Sequence, residues 1–169
     1  MTDRMTISES GAATFNSTIN GVGINVIETE SILVSNDGGT GTISSALRNT
    51  GFGYEVFDDL TSGDDNTGLG RRALTKVTTG SSNTAMGSGS IELLTTGSSN
   101  TGFGASSLYA TTTGSSNTAD GSAALSVNTT GTLNTAMGAL ALDANTTASD
   151  NTAIGAASMS GNTTGTRNT

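Results

Sequence analysis

Among the side chains able to do chemistry, only carboxylates are grouped. Asp58, Asp59, Asp64 and Asp65 lie close together, an oxygen-rich set of the kind that can hold a hard cation. Their spacing matches neither the GGxGxDxUx pattern of calcium-binding β-rolls nor the EF-hand loop. Arg71, Arg72 and Lys76 follow soon after and are their simplest electrostatic neighbours. Asp120 differs, because it is the one charged residue in a repeating column of apolar side chains. If that column faced an axis shared by several copies of the chain, the carboxylates would converge. They would then have to be protonated, hydrated or metal-bound, since an uncompensated buried charge is very costly. An outward tilt of this one residue, with no ligand, is the simpler expectation.

Other chemistry is sparse. The chain has no His and no Cys, which removes the commonest general base, the commonest metal ligand and any disulfide framework. Ser is abundant, yet no Ser nucleophile can be named without that base. No carboxylate pair stands out for sugar hydrolysis. The expectation is a protein that is not an enzyme, with no catalytic residue, no cofactor and no metal, Asp120 being the one place where an ion or water site is conceivable. NST (16–18) and the NTT triplets at Asn128, Asn145 and Asn162 fit the glycosylation sequon, but they belong to a repeat and need no glycan to explain them.

That repeat organises the chain. A seventeen-residue unit opening NTxxG starts at Asn49, Asn66, Asn83, Asn100, Asn117, Asn134 and Asn151, and its fifth residue is always Gly. Seven units fill residues 49 to 167, and Asn168 and Thr169 open an eighth. A fixed period of this length marks a solenoid in which one unit makes one coil.

Position 4 carries Phe52, Leu69, Met86, Phe103, Asp120, Met137 and Ile154; position 9 carries Phe57, Leu74, Ile91, Leu108, Leu125, Leu142 and Met159. Both columns are expected to form the core. Position 3 is always Gly or Ala, position 13 is always Thr, and position 15 is Gly except at Ala148. The pattern predicts a strand around NTxxG, a bend at or after the Gly, a second strand around position 9 and a turn at TTG. Stacked about 4.8 Å apart, the Asn side chains can hydrogen-bond to one another and to turn backbone. Asn49 to Asn151 at this period are therefore expected to be a structural ladder.

Residues 1–35 read as an N-terminal β segment. Met5 and Ile7 alternate with polar neighbours, Glu9 to Gly11 form a turn, TFNSTI (14–19) alternates again, and INVIETESILV (24–34) favours strand with helix as the alternative. Residues 36–48 form a Gly-rich joint into the array.

Only 33% of residues are hydrophobic, with four Phe, two Tyr and no Trp. Strict periodicity nevertheless argues for order rather than a disordered tract. A net charge of −8 with six Lys and Arg disfavours nucleic acid as a partner, and the acidity reads as a solvated surface. MTDRMTISES lacks the apolar run of a secretory signal, and no stretch reaches the length of a membrane span, so no membrane insertion is expected. Two large apolar side chains per unit make a thin core for one chain. Burial against sister chains by cyclic symmetry is the economical remedy, which predicts an obligate homo-oligomer, a trimer around the apolar columns.

NTAIG (151–155), NTAMG (83–87 and 134–138) and NTGFG (49–53 and 100–104) resemble the head repeats of YadA-like trimeric autotransporter adhesins. NTTGTLNTAMG (128–138) and NTTGTRNT (162–169) are similar to the form of these arrays found in phage tail fibres. The resemblance covers about seven tenths of the chain, and RMTISESGAATFNSTINGVG (4–23) is more weakly similar to short β segments along phage fibres. The resemblance implies a left-handed parallel β-roll, three chains side by side with aliphatic residues directed inward, and adhesion to a cell surface or matrix. The period is somewhat longer than in the usual adhesin head, and no pattern of a signal, coiled-coil stalk or anchor is read within these residues, which shifts the expectation from a bacterial adhesin to a particle fibre.

The expectation is therefore a structural and adhesive fibre segment of a phage tail or related particle, attached to other particle proteins at its ends and with a host-surface glycan or protein as a candidate receptor. The head of a bacterial surface adhesin is the alternative, and an ice-binding solenoid a more remote one, since the adjacent Thr pairs would point to opposite faces of a strand. Tyr54 and Tyr109 are the aromatic candidates for contact outside the two columns. The array is expected to continue beyond Thr169, because a bare solenoid end needs a cap.

Overall fold

The computed structural model describes strand segments 4–7, 13–16, 18–19, 22–27 and 31–35, and then every residue from 46 to 169. The turn read at Glu9 to Gly11 and the NDGGTGT joint (36–42) lie outside the described residues. β1 (Arg4–Ile7) and β2 (Ala13–Asn16) form an antiparallel pair, with Arg4 opposite Asn16 and Ile7 opposite Ala13. β3 (Thr18–Ile19), β4 (Val22–Ile27) and β5 (Ser31–Ser35) are antiparallel neighbours in a second sheet. The apolar run 24–34 is thus parts of two paired strands rather than one element. β5 then pairs in parallel with β6 (Thr50–Phe52), Ile32 opposite Thr50 and Val34 opposite Phe52. The last strand of the N-terminal segment therefore covers the first edge of the array, where an open strand would otherwise invite pairing.

From β6 the sheet continues through β7 (Thr67–Leu69), β8 (Thr84–Met86), β9 (Thr101–Phe103), β10 (Thr118–Asp120), β11 (Thr135–Met137) and β12 (Thr152–Ile154). All seven repeat strands are parallel, and each residue pairs with its counterpart one unit on. The fold is an all-β repeat solenoid with seventeen-residue coils. Outside the strands the backbone also bonds mainly between coils. Leu108 N–H donates to the Ala124 carbonyl at 2.9 Å, Ala110 N–H to Ser126 at 3.0 Å and Thr112 N–H to Thr129 at 2.9 Å. Coil stacking, rather than pairing within a coil, satisfies the main chain.

Two expectations about the coil are corrected. Position 9 is not a second strand. Phe57, Leu74, Ile91, Leu108, Leu125, Leu142 and Met159 occupy a turn with φ between 50° and 58°, and this left-handed bend carries the chain back over the coil interior. The second correction concerns the core. Position 9 fills it, buried from Phe57 to Leu142, with Met159 packed against it. Position 4 does not: Phe52, Leu69, Met86, Phe103, Asp120, Met137 and Ile154 all stand outside the coil. In a strand successive side chains alternate, and the inward place goes to position 3, where Ala85, Ala119, Ala136 and Ala153 are buried.

The other wall of the core is position 12, which the sequence reading missed. Leu60, Val77 and Leu94 fill it in the first three coils, Thr111 in the fourth, and Asn128 and Asn145 in the next two, all of them buried. The Gly at position 5 is demanded by the corner after the strand. At Gly70, φ is +132°, and an added Cβ would lie 2.6 Å from the carbonyl oxygen of Gly87.

Candidate functional site

The most regular chemistry in the molecule is the amide ladder inside one corner. Asn66, Asn83, Asn100, Asn117, Asn134 and Asn151 are buried. Asn100 Nδ2 donates to Asn83 Oδ1 at 3.1 Å and to the Gly114 carbonyl at 2.8 Å, while Asn100 Oδ1 accepts from the Asn117 backbone N–H and Nδ2, both at 3.1 Å. Asn49 begins the column, giving Nδ2 to the Gly63 carbonyl and accepting from Asn66 N–H, both at 2.9 Å. A satisfied buried amide of this kind has no capacity left for a ligand.

The NTT asparagines form a second, shorter column at position 12. Asn128 Nδ2 donates to Gly131, Asn145 Nδ2 to Ala148 and to Asn128 Oδ1, and Asn162 Nδ2 to Gly165. Asn128 and Asn145 are wholly buried, so neither can carry a glycan in the folded coil. Serines at position 8 are likewise structural. Ser90 Oγ donates to the Gly102 carbonyl at 3.0 Å and lies 2.9 Å from Ser107 Oγ, with both residues buried.

The charged residues gather on the first coils, as pairs between neighbouring coils. Arg48 holds Asp65 with Nε at 2.7 Å and Nη2 at 2.9 Å. Arg72 holds Glu55 at 2.7 Å and Glu92 at 3.1 Å, and Lys76 reaches Asp59 at 3.1 Å. The acidic set does not converge on a point, since Asp64 is turned to accept from the Leu47 N–H at 2.8 Å. Among the described residues no group of three or more acidic, His or Cys side chains could hold a metal ion. Hydrogen bonds from Tyr54 and Arg72 hold the Glu55 carboxyl below the usual carboxylate range, and a hydrogen bond from Arg48 does the same for Asp65. Tyr54 also lies beneath the Arg71 guanidinium, 5.8 Å from ring centre to Cζ.

The outer face of the repeat strands is open to solvent. It carries two columns, Thr at position 2 and the mainly apolar position 4, from β6 to β12. Phe52 is 59% exposed, and Met86, deep in the array, is still 39% exposed. Six apolar side chains in line, interrupted once by Asp120 between Phe103 and Met137, make an exposed stripe of the kind that marks interaction sites.

Two further columns flank that face, at position 17 before the strand and at position 7 after it. Both have left-handed backbone in every coil, for example Arg48 at φ 57°, Glu55 at 54°, Leu133 at 58° and Leu140 at 59°. Their side chains are exposed or half-buried wherever they are large. Tyr109 is exposed beside this flank, near the space above Gly89. Sequence reading did not isolate these columns, because their residue types change from coil to coil. The chain matches no family model, no curated protein and no solved structure.

Proposed function

We propose that this chain is a non-enzymatic structural and adhesive fibre segment, a YadA-like head-repeat array in the form found in phage tail fibres, acting in host-surface attachment as a homotrimer. One observation carries the reading: a seven-coil solenoid lays an apolar stripe along its strand face, broken at Asp120, with Phe52, Leu69, Met86, Phe103, Met137 and Ile154 outside the chain's own core. Burying that stripe against sister chains would stabilise every coil at once, at roughly 25 cal/mol per Å² of apolar surface. A long, uniform assembly with its side chains committed to stacking suits a shaft or head that carries force and presents a surface. Polar partners, a host-surface glycan or protein, would be met on the remaining faces, and other particle proteins at the ends.

Light scattering tests the assembly, with a mass of three chains expected at micromolar concentration; one folded chain would overturn the trimer. Attachment is tested by binding the purified assembly to host cells and by labelling particles with an antibody to residues 49–167. Label at the tail supports the phage fibre, whereas label on bacterial cells that carry no phage supports the surface adhesin.

A further inference from the structure

The flanking columns match each other rung by rung. In the first coil position 17 offers Arg48 and position 7 offers Glu55; in the second the signs are reversed, Asp65 and Arg72. The third to fifth coils offer only small residues, Ser82 with Gly89, Ser99 with Ser106 and Ser116 with Ala123. In the sixth both are leucine: Leu133 is 59% exposed and Leu140 47%, with Met137 between them 43% exposed. In the seventh Asp150 meets Ala157, which neither pairs with it nor opposes it. Within one chain the strand separates the two columns, and the charges already pair up and down each column, Arg48 with Asp65 and Arg72 with Glu55.

We propose that copies of this chain pack side by side, parallel and in register, with position 17 of each chain against position 7 of its neighbour. Arg48 faces Glu55, Asp65 faces Arg72, and Leu133 faces Leu140 across the seam. Joined to the pairs within each chain, the first two rungs become a checkerboard of four alternating charges. A slip of one coil in one direction sets Arg48 against Arg72; in the other it sets Asp65 against Glu55, and either slip leaves Leu133 facing alanine. Antiparallel packing would bring the charged first coils against the distal ones. Two different columns meeting in parallel make a heterologous contact, which propagates from copy to copy and forms a ring where its rotation closes. The strand face lies between the columns, so closure turns the apolar stripe toward the axis. The seam rests on the homo-oligomer reading and adds its partner, orientation and register.

Because the chain has no Cys, paired cysteines test the seam directly. Under mild oxidation, Leu133→Cys/Leu140→Cys should convert most of the protein to a covalent ladder that ends at the number of copies in the ring. Ala123→Cys/Leu133→Cys, one coil out of register, should stay near the background of the single variants. Equal cross-linking of both pairs, an internal disulfide in a monomer, or an oligomer in which neither pair links would overturn the seam while leaving the oligomer reading standing. A monomeric wild type in light scattering would overturn both. Separately, Arg48→Asp/Asp65→Arg keeps the pair within the chain but opposes like charges across the seam, and should weaken association about tenfold or more. Adding Glu55→Arg/Arg72→Glu/Glu92→Gln should restore it. Unchanged association in the first variant, or no recovery in the second, removes the charged rungs from the interface.

Discussion

Asn100 shows how much one repeated side chain carries. Its amide takes part in four hydrogen bonds, two donated and two accepted, inside a buried corner. Asn100→Ala strands partners in three coils, its own and both neighbours, and is expected to cost about 3 kcal/mol. Asn162→Ala, at a half-buried site where Nδ2 meets Gly165, should cost about 1 kcal/mol or less. Urea denaturation of both variants checks the contrast. Thr111 shows the opposite case, because its buried hydroxyl has no hydrogen-bond partner. Thr111→Val should raise stability by about 1 kcal/mol in the same assay. The Asn column was legible in the sequence because the same residue solves the same problem in every coil. Position 9 was legible as core but not as a left-handed turn. Leucine, phenylalanine and, above all, β-branched Ile91 at φ 50° are types that avoid that region, so nothing in their identity announces it. Ile91→Leu keeps the column's usual residue and should raise the melting temperature.

A strand of three residues decides which side of the coil is inside. With position 3 inward, the core receives glycine or alanine and the larger residue at position 4 goes outside. Hydrophobicity alone suggests the reverse, which is why the strand face could not be read correctly from composition. The corner that follows is equally constrained. Gly70→Ala forces a side chain into left-handed backbone against the Gly87 carbonyl, a strain of roughly 1–3 kcal/mol before any clash is counted. Position 12 escaped notice because its column passes from Leu94 through Thr111 to Asn128; the NTT triplets and the three apolar residues before them are one column, visible only once both are placed on one wall. The ion pairs between coils also act at this scale. The carboxyls of Glu55 and Asp65 are held below their ordinary values of 4.5 and 3.8, so their contribution is present above those values and lost as pH falls through the lower folded ones. Melting temperatures between pH 7 and pH 2.5 should therefore fall less in Arg48→Gln/Arg72→Gln than in the wild type.

For the whole molecule, the period and the stacked architecture followed from the sequence, since seven copies of NTxxG leave one arrangement that satisfies all of them. The flanking columns at positions 17 and 7 were not legible as a pair, because their residue types change from coil to coil and leave no period. Asp120 marks the point where the apolar stripe is broken. If the stripe is buried between copies, Asp120→Leu makes it continuous and should raise the temperature at which the oligomer dissociates, while leaving the mass unchanged; a melting curve read by light scattering checks this.

The uniform stacking has a consequence for inheritance. Each coil bonds to the next through the same atoms seventeen residues on, so the array accepts or loses length only in whole coils. An insertion of one residue would rotate every later side chain out of its column, whereas a gain or loss of one unit recreates the junction it interrupts. If copies of the chain meet in register as proposed, sister chains translated from one gene change together and their rungs still meet. Reach can then vary between lineages by recombination among near-identical units, without any other residue having to change.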